Sequence, residues 1–407
     1  MHASTPTYGL RETLLEPRTL APPPTRHALF VFVIALAAIL HLGTAGWSEI
    51  HNGVEGEYAS TARALEQTGM WNPPGPPLHF WLTIASFKIF GASAMAAHLP
   101  VALALVSAIA FTFLIGERLA SYWRGFIAGL IHLGCVGSFI WARIATPEPL
   151  FAACLGATLF CAVSGYERRN SRAVWFASAW VCMALGCLAK GVAGLLHPAL
   201  ILLLVAFFCR EARIRFRSLL HWRNVLLFLA LLLPWLVATQ FQVLPLQLRS
   251  GAGVPLWRFL AGHFLWWFPA LLLVLPGVVF EWRKVFRPHD RDLVDVLPLC
   301  WMAVGFLPLL VLAGRQDFDS MNMWSAFALF AATAWDRLSR PLRLAGLALV
   351  IAAGAVLITM GALNLAALPP LPSAWLGARS VIVLGGIAIL FFALLAAYFS
   401  WKDRETL

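Results

Sequence analysis

The chain has 407 residues, 60% of them hydrophobic and only 12% charged, whereas a soluble domain carries about a quarter charged residues. So little polar surface excludes a water-soluble enzyme, a disordered chain and a secreted disulfide scaffold. The 30 Lys and Arg outnumber 19 Asp and Glu, and in a chain this apolar the placement of that +11 matters more than its size.

Residues 1–26 read as a cytoplasmic tail with Arg11, Arg18, Arg26 and three prolines at 22–24, and no small-residue cleavage site follows them, so no signal peptide is expected. A spanning helix needs about 20 apolar residues. Such runs recur at 27–47, 94–117, 125–142, 148–166, 173–189, 191–209, 222–240, 263–281, 293–314, 322–336, 343–364 and 380–401, which predicts an all-α polytopic bundle of about twelve spans. Residues 48–93 form the first long loop. Tyr58, Ala59, Ala62 and Leu65 make a helical stripe there, the chain breaks at Asn72–Pro77, and Trp81–Lys88 resumes the pattern. Two short amphipathic helices lying at the membrane surface are expected. Residues 241–262 form a second loop on the same side and 365–379 a proline-bearing third. Residues 27–340 are taken as one transmembrane core and 341–407 as a C-terminal pair of transmembrane helices.

Positive charge sets the orientation. One set of loops and span ends holds 22 of the basic residues and 12 acids, and the other holds eight basic and seven acidic residues. Both termini are therefore expected in the cytoplasm of a bacterial inner membrane, with the long, nearly neutral loops on the periplasmic face. The excess charge is a topology signal and implies no nucleic acid. The seven cysteines lie in or beside apolar runs without a Cys-x-x-Cys pair, so they read as packing residues.

The outer-face acids are Glu49, Glu55, Glu57, Glu66, Glu148, Asp317 and Asp319. Pro147 and Pro149 fix the backbone around Glu148, which either aims its carboxylate or merely complements a helix dipole. Lys190 interrupts the apolar stretch 173–209 and must snorkel to the interface or meet an anion. Gly191 and Gly194 beside it would admit a close backbone or a ligand phosphate. Arg143, five residues before Glu148, would pair with it or with a phosphate. Asp317-x-Asp319 has a spacing used for metals, although ordinary loop acids are the favoured reading; metal ligands and cofactors are otherwise not implied. His263 with Phe264, Trp266, Trp267 and Phe268 reads first as an interfacial belt, with sugar stacking or lipid contact as the alternative. There is no phosphate-binding Gly-x-x-x-x-Gly-Lys loop, no His-Glu-x-x-His and no Gly-x-Ser-x-Gly. Any reaction must draw on a membrane-delivered substrate.

Several stretches, in order, resemble a known family. They are Val54-Glu55-Gly56-Glu57-Tyr58-Ala59, then Thr68-Gly69-Met70-Trp71, then Pro76-Pro77-Leu78 through Trp81, followed by Ala142-Arg143 to Pro147-Glu148, Leu188-Ala189-Lys190-Gly191 and Pro234-Trp235. The pattern is similar to bacterial GT-C glycosyltransferases of the aminoarabinose-transferase-like branch, related to protein O-mannosyltransferases. It covers roughly residues 30–240 well and 241–340 weakly. The resemblance implies transfer of a sugar from a polyprenyl-phosphate carrier to a lipid, glycan or protein acceptor outside the cytoplasmic membrane. It implies Glu55, Glu148 and Glu57 as catalytic carboxylates, and Lys190, Arg143, Arg63 and Arg315 at the donor phosphate. Tyr58, His263 and Trp267 would touch substrate. Where the family carries Asp and Lys this chain has Val54 and Gly75. Two other readings remain: a transporter or flippase of a lipid-linked sugar, or a non-catalytic binding subunit that kept the fold.

Overall fold

The computed structural model of the chain describes residues 23–50, 53–239, 253–280, 292–312 and 314–367. Every regular element among the described residues is helical. In order they are α1 (Pro23–Leu42), α2 (Val54–Thr68), α3 (Pro77–Phe90), α4 (Ala94–Leu119), α5 (Tyr122–Gly134), α6 (Val136–Trp141), α7 (Glu148–Glu167), α8 (Arg172–Lys190), α9 (Ala193–Phe208) and α10 (Arg210–Phe216). After a 3-10 turn come α11 (Trp222–Ala238), α12 (Leu256–Trp266), α13 (Ala270–Phe280) and α14 (Leu293–Val311). A second 3-10 segment, Asp317–Met323, leads into α15 (Trp324–Arg337), and α16 (Arg340–Ala367) follows.

Local chemistry starts these helices where the sequence allows. Ser93 Oγ accepts the Ala96 N–H at 3.2 Å and Ser121 Oγ accepts that of Arg124 at 3.2 Å, so each serine satisfies a donor that a helix start leaves orphaned. Pro147 and Pro149 bracket the first residue of α7, where a missing N–H costs nothing. α7 is the centre of the bundle. It packs along α8 and against α4, and 83% of its most apolar window lies inside the protein.

Among the described residues, four helices are long and apolar enough to cross a membrane: α4, α7, α8 and α14. Counting the bent pairs α10–α11 (with the 3-10 turn between them, 59°) and α12–α13 (106°) as one span each gives six. The fold is thus a membrane-type helical bundle, with four to six spans by length and composition among the described residues. Several expected spans are interrupted. Residues 125–142 divide at Cys135, which separates α5 from α6, and 322–336 begins as 3-10 turns rather than α-helix. The run 263–281 turns sharply at Trp267–Pro269. Uniform apolar composition marks membrane depth and carries no signal for a kink. The expected span 380–401, the loop 365–379 beyond residue 367, most of the N-terminal tail and residues 240–252 of the second loop lie outside the described residues.

The first loop does form two helices, but only α2 is two-faced. Glu55, Ala59, Ala62 and Leu65 are buried on one stripe of α2, while Glu57 and Arg63 are exposed. α3 departs from the amphipathic expectation. It buries Phe80, Ile84 and Phe87 on one side and exposes Leu82, Ile89 and Phe90 on the other, so large apolar side chains lie on both sides. α2, α3 and the start of α4 pack together and set one end of the bundle.

Candidate active site

Two buried acidic centres lie on one short piece of chain at that end. The first is Glu55, only 3% exposed. Its Oε1 lies 2.6 Å from His98 Nε2 and accepts the Ala145 backbone N–H at 3.0 Å. His98 is fully buried, with Nδ1 lying 3.0 Å from the Ala45 carbonyl. A carbonyl only accepts, so Nδ1 carries a hydrogen, and Nε2 and Glu55 share one further proton.

The second centre is Glu148, the first residue of α7. Lys190 Nζ lies 3.3 Å from Glu148 Oε1 and 3.3 Å from Asp319 Oδ1, and 5.8 Å from the Phe151 ring centroid. Lys190 closes α8, and its position follows from the two glycines after it. Gly191 has φ +60°, a conformation that side chains resist, and turns the chain into α9. Gly194 lies so close to the backbone of Gly186 and Cys187 that a Cβ there would clash. The glycines therefore serve the close crossing of α8 and α9, and the lysine is held at its tip. Asp319 is fixed by a reciprocal cap in which its Oδ2 accepts the Gln316 N–H at 2.8 Å.

Ala145, which holds Glu55, stands three positions before Glu148. That is at most about 11 Å of chain. Glu55, His98, Glu148, Lys190 and Asp319 thus gather on one turn, 142–147, and the helix ends around it. The arrangement can position a hydroxyl beside a carboxylate and present a cation to a departing phosphate.

The other expected residues go elsewhere. Arg143 is 8% exposed and donates to the Phe139 carbonyl, to Thr44 Oγ1 and, at 3.4 Å, to the Leu40 carbonyl, with its guanidinium 3.4 Å from the Phe139 ring centroid. It ties the end of α1 to α6. Arg63 pairs with Glu66 at 2.6 Å on the exposed side of α2. Arg315 donates to the carbonyls of Leu309 (2.6 Å), Leu310 (3.2 Å) and Val254 (3.1 Å), which caps α14 and pins the segment entering α12. Tyr58 packs edgewise on His79, ring centroids 5.3 Å apart. Burial pushes His79 down to about 4, so Tyr58 meets a neutral ring. His263 donates from Nδ1 to the Phe259 carbonyl at 2.6 Å, and Trp267 stacks on Phe327 at 4.4 Å and 13°. Both face inward, unlike an interfacial belt, whereas Phe264 is 65% exposed. Asp317 and Asp319 diverge: Asp319 turns to Lys190, and Asp317 lies near Trp266 and Arg258.

Reasoning from sequence had not reached His98, nor Asp319 as the partner of Lys190. No spacing links His98 to Glu55, 43 residues away. The burial of Glu55 was readable, because it falls four and seven residues before Ala59 and Ala62 on the apolar stripe.

Comparison with known proteins bears on the fold that carries these residues. Residues 74–237 match the family described as dolichyl-phosphate-mannose-protein mannosyltransferase. A crystal structure of ArnT from Cupriavidus metallidurans, bound to undecaprenyl phosphate, superposes with TM-score 0.74 at 19% identity over 92% of this chain and 73% of that one. The apo oligosaccharyltransferase of Archaeoglobus fulgidus gives TM-score 0.56 at 14% identity over 90% of this chain and 55% of that one. An uncharacterised protein of Aquifex aeolicus (strain VF5) is 25% identical over 180 residues, 42% of this chain and 36% of that protein. The match spans about a third of that curated relative. The chain has a membrane-type helical fold similar to that of ArnT, and its residues 74–237 carry the match to the mannosyltransferase family model.

Proposed function

We propose that this protein transfers a sugar from a polyprenyl-phosphate carrier to a lipid, glycan or protein acceptor at the periplasmic face of the bacterial inner membrane. The observation that carries the reading is the Glu148–Lys190–Asp319 cluster standing within three residues of the amide that holds Glu55. An acceptor hydroxyl needs a carboxylate to orient it and take its proton, and the polyprenyl phosphate gains charge as the glycosidic bond breaks. Glu148 suits the first task and Lys190 the second. Arg143 and Arg315 donate to backbone carbonyls and Arg63 pairs with Glu66 on the exposed side of α2, whereas Lys190 stands at Glu148 and Asp319, so Lys190 is the leading cation for the phosphate. Glu57 is exposed on the far side of α2 from Glu55 and falls behind both other carboxylates. About twelve spans with both termini cytoplasmic would put this end of the bundle outside. Bound undecaprenyl phosphate in the structurally similar ArnT supports the donor class.

A specific observation favours a second reading. Glu55 is sealed against His98, and Val54 and Gly75 stand where the family carries Asp and Lys, as in a subunit that binds a carrier lipid without turnover. One assay separates the two. The purified protein in nanodiscs is given undecaprenyl phosphates bearing radiolabelled pentoses or hexoses, with extracted envelope lipids and glycans as acceptors. Label should move to an acceptor, and Glu148→Gln should slow that transfer by about 10²–10⁴. Binding without transfer would favour the non-catalytic subunit, and movement of the intact labelled lipid across a liposome membrane would favour a flippase.

A further inference from the structure

Beside the charged cluster lies a second group of polar atoms that the reaction outlined above does not use. Buried side-chain N–H and carboxylate groups almost always find partners. Yet the indole Nε1 atoms of Trp141, Trp266 and Trp324, and Asp317 Oδ1, are all buried without a hydrogen-bond partner. They occupy one neighbourhood. The Trp141 ring meets Trp266 edgewise at 5.3 Å and Phe318 at 5.5 Å. Trp324 and Trp266 close on the same point of α6, since a Cβ on Gly137 would lie 2.7 Å from the Trp324 ring and 3.0 Å from Trp266 Cβ. A Cβ on Gly262 would lie 3.1 Å from Trp266 Nε1 and 3.6 Å from Asp317 Oδ1, so donor and acceptor flank the same spot on α12. The Trp266 indole N–H leans toward the Asp317 carboxylate as a hydrogen-bond donor and holds its carboxyl down, in a contact that falls outside strict hydrogen-bond geometry.

The chemistry of this group is narrow. Indole nitrogens only donate, a carboxylate oxygen accepts, and the remaining walls are aromatic faces. A ligand that satisfies all of them has apolar ring faces, several oxygen acceptors and a hydroxyl donor. Water alone supplies hydrogen bonds but makes no use of three converging rings. The placement points the same way. Trp141 runs directly into turn 142–147, and Phe318 sits between Asp317 and Asp319, whose Oδ1 meets Lys190. The aromatic group therefore shares walls with the cluster assigned above to the donor phosphate.

We infer that Trp141, Trp266, Phe318 and Asp317 form the subsite for the sugar ring, with Asp317 accepting from a sugar hydroxyl and the indole N–H groups donating to sugar oxygens. This rests on the proposed donor class and adds where the sugar sits and what selects it. Native mass spectrometry of the full chain with undecaprenyl phosphate and with undecaprenyl phosphate carrying one pentose or hexose tests it. The sugar-bearing lipid should bind at least about tenfold more tightly than the bare lipid. Asp317→Asn, which keeps shape, and Trp266→Phe, which removes the indole N–H with part of the ring, should abolish that preference while leaving bare-lipid binding intact. Lys190→Ala should weaken both lipids equally, so its failure would strike the donor reading alone. A second arm needs no lipid: saturation-transfer NMR with methyl pentosides and hexosides on the protein in nanodiscs should give signals that Asp317→Asn removes. An undiminished preference in both variants, or neither a lipid preference nor glycoside signals in the wild type, overturns the subsite and leaves these groups to bound water.

Discussion

At the scale of single residues, the buried charges carry the clearest consequences. His98 is the partner of a carboxylate that is 3% exposed, and removing one member of a buried pair leaves the other uncompensated. His98→Ala should lower stability by about 3–5 kcal/mol, while His98→Gln, which keeps a donor near Glu55, should cost clearly less. Thermal melting of the purified protein reads the difference, and equal melting of all three forms would deny the pair a structural role. Asp317 gives a pH signature. Burial pushes its carboxyl above the usual range, with Arg258 and the Trp266 indole acting against the rise. A raised acid supports the fold below the usual carboxylate range and loses that support as pH climbs through its raised value. Asp317→Asn should therefore melt with the wild type near pH 4 and above it at pH 7, and melting curves that run parallel across that window would exclude the effect. Sequence made Glu148 and Lys190 legible because a lone charge at the end of an apolar run has few fates. His98 was illegible because a histidine in an apolar helix gives no sign of which distant acid it faces.

At the scale of elements, the α8–α9 crossing decides where Lys190 ends up. Gly194 sits against the α8 backbone with no room for a methyl group. Gly194→Ala forces the helices apart, and overpacking of this kind costs typically 1–3 kcal/mol. A lower melting temperature should come with weaker undecaprenyl phosphate binding, because the lysine moves with its helix. Preserved binding in a destabilised variant would mean that Lys190 is placed by its carboxylate partners instead. The pattern Lys190-Gly191 announced a turn, but whether the glycines served a ligand or a backbone depended on the crossing angle of two helices, which no local pattern encodes. The same limit explains the broken expectations around Cys135 and Trp267. Hydrophobic runs report immersion, and the bends inside them arise from tertiary packing. α3 shows the converse, since its pairing with α2 and α4 buries one apolar face while Leu82, Ile89 and Phe90 stay exposed.

At the scale of the whole molecule, orientation is the property that sequence states most directly and that the helices alone leave open. Basic loops such as Arg168–Arg172 should lie in the cytoplasm, opposite the end built from α2, α3 and turn 142–147. Fluorescent-protein fusions after residue 170 should glow, and alkaline phosphatase fusions after residue 92 should be active; the reverse pattern would invert the molecule and move the proposed reaction inside. Composition sufficed for the membrane and for the helical class, because both follow from how much polar surface exists. The meeting of Glu55 with turn 142–147 needed the folded chain. That turn has a mechanical meaning of its own. One end grips Glu55 through the Ala145 amide and the other carries Glu148 against Lys190, with too little chain between them to absorb slack. A phosphate that pulled Lys190 aside would tilt the head of α7 and strain the grip on Glu55. Loading of the carrier would then precede release of the second acid, and the two substrates would add in a fixed order rather than at random.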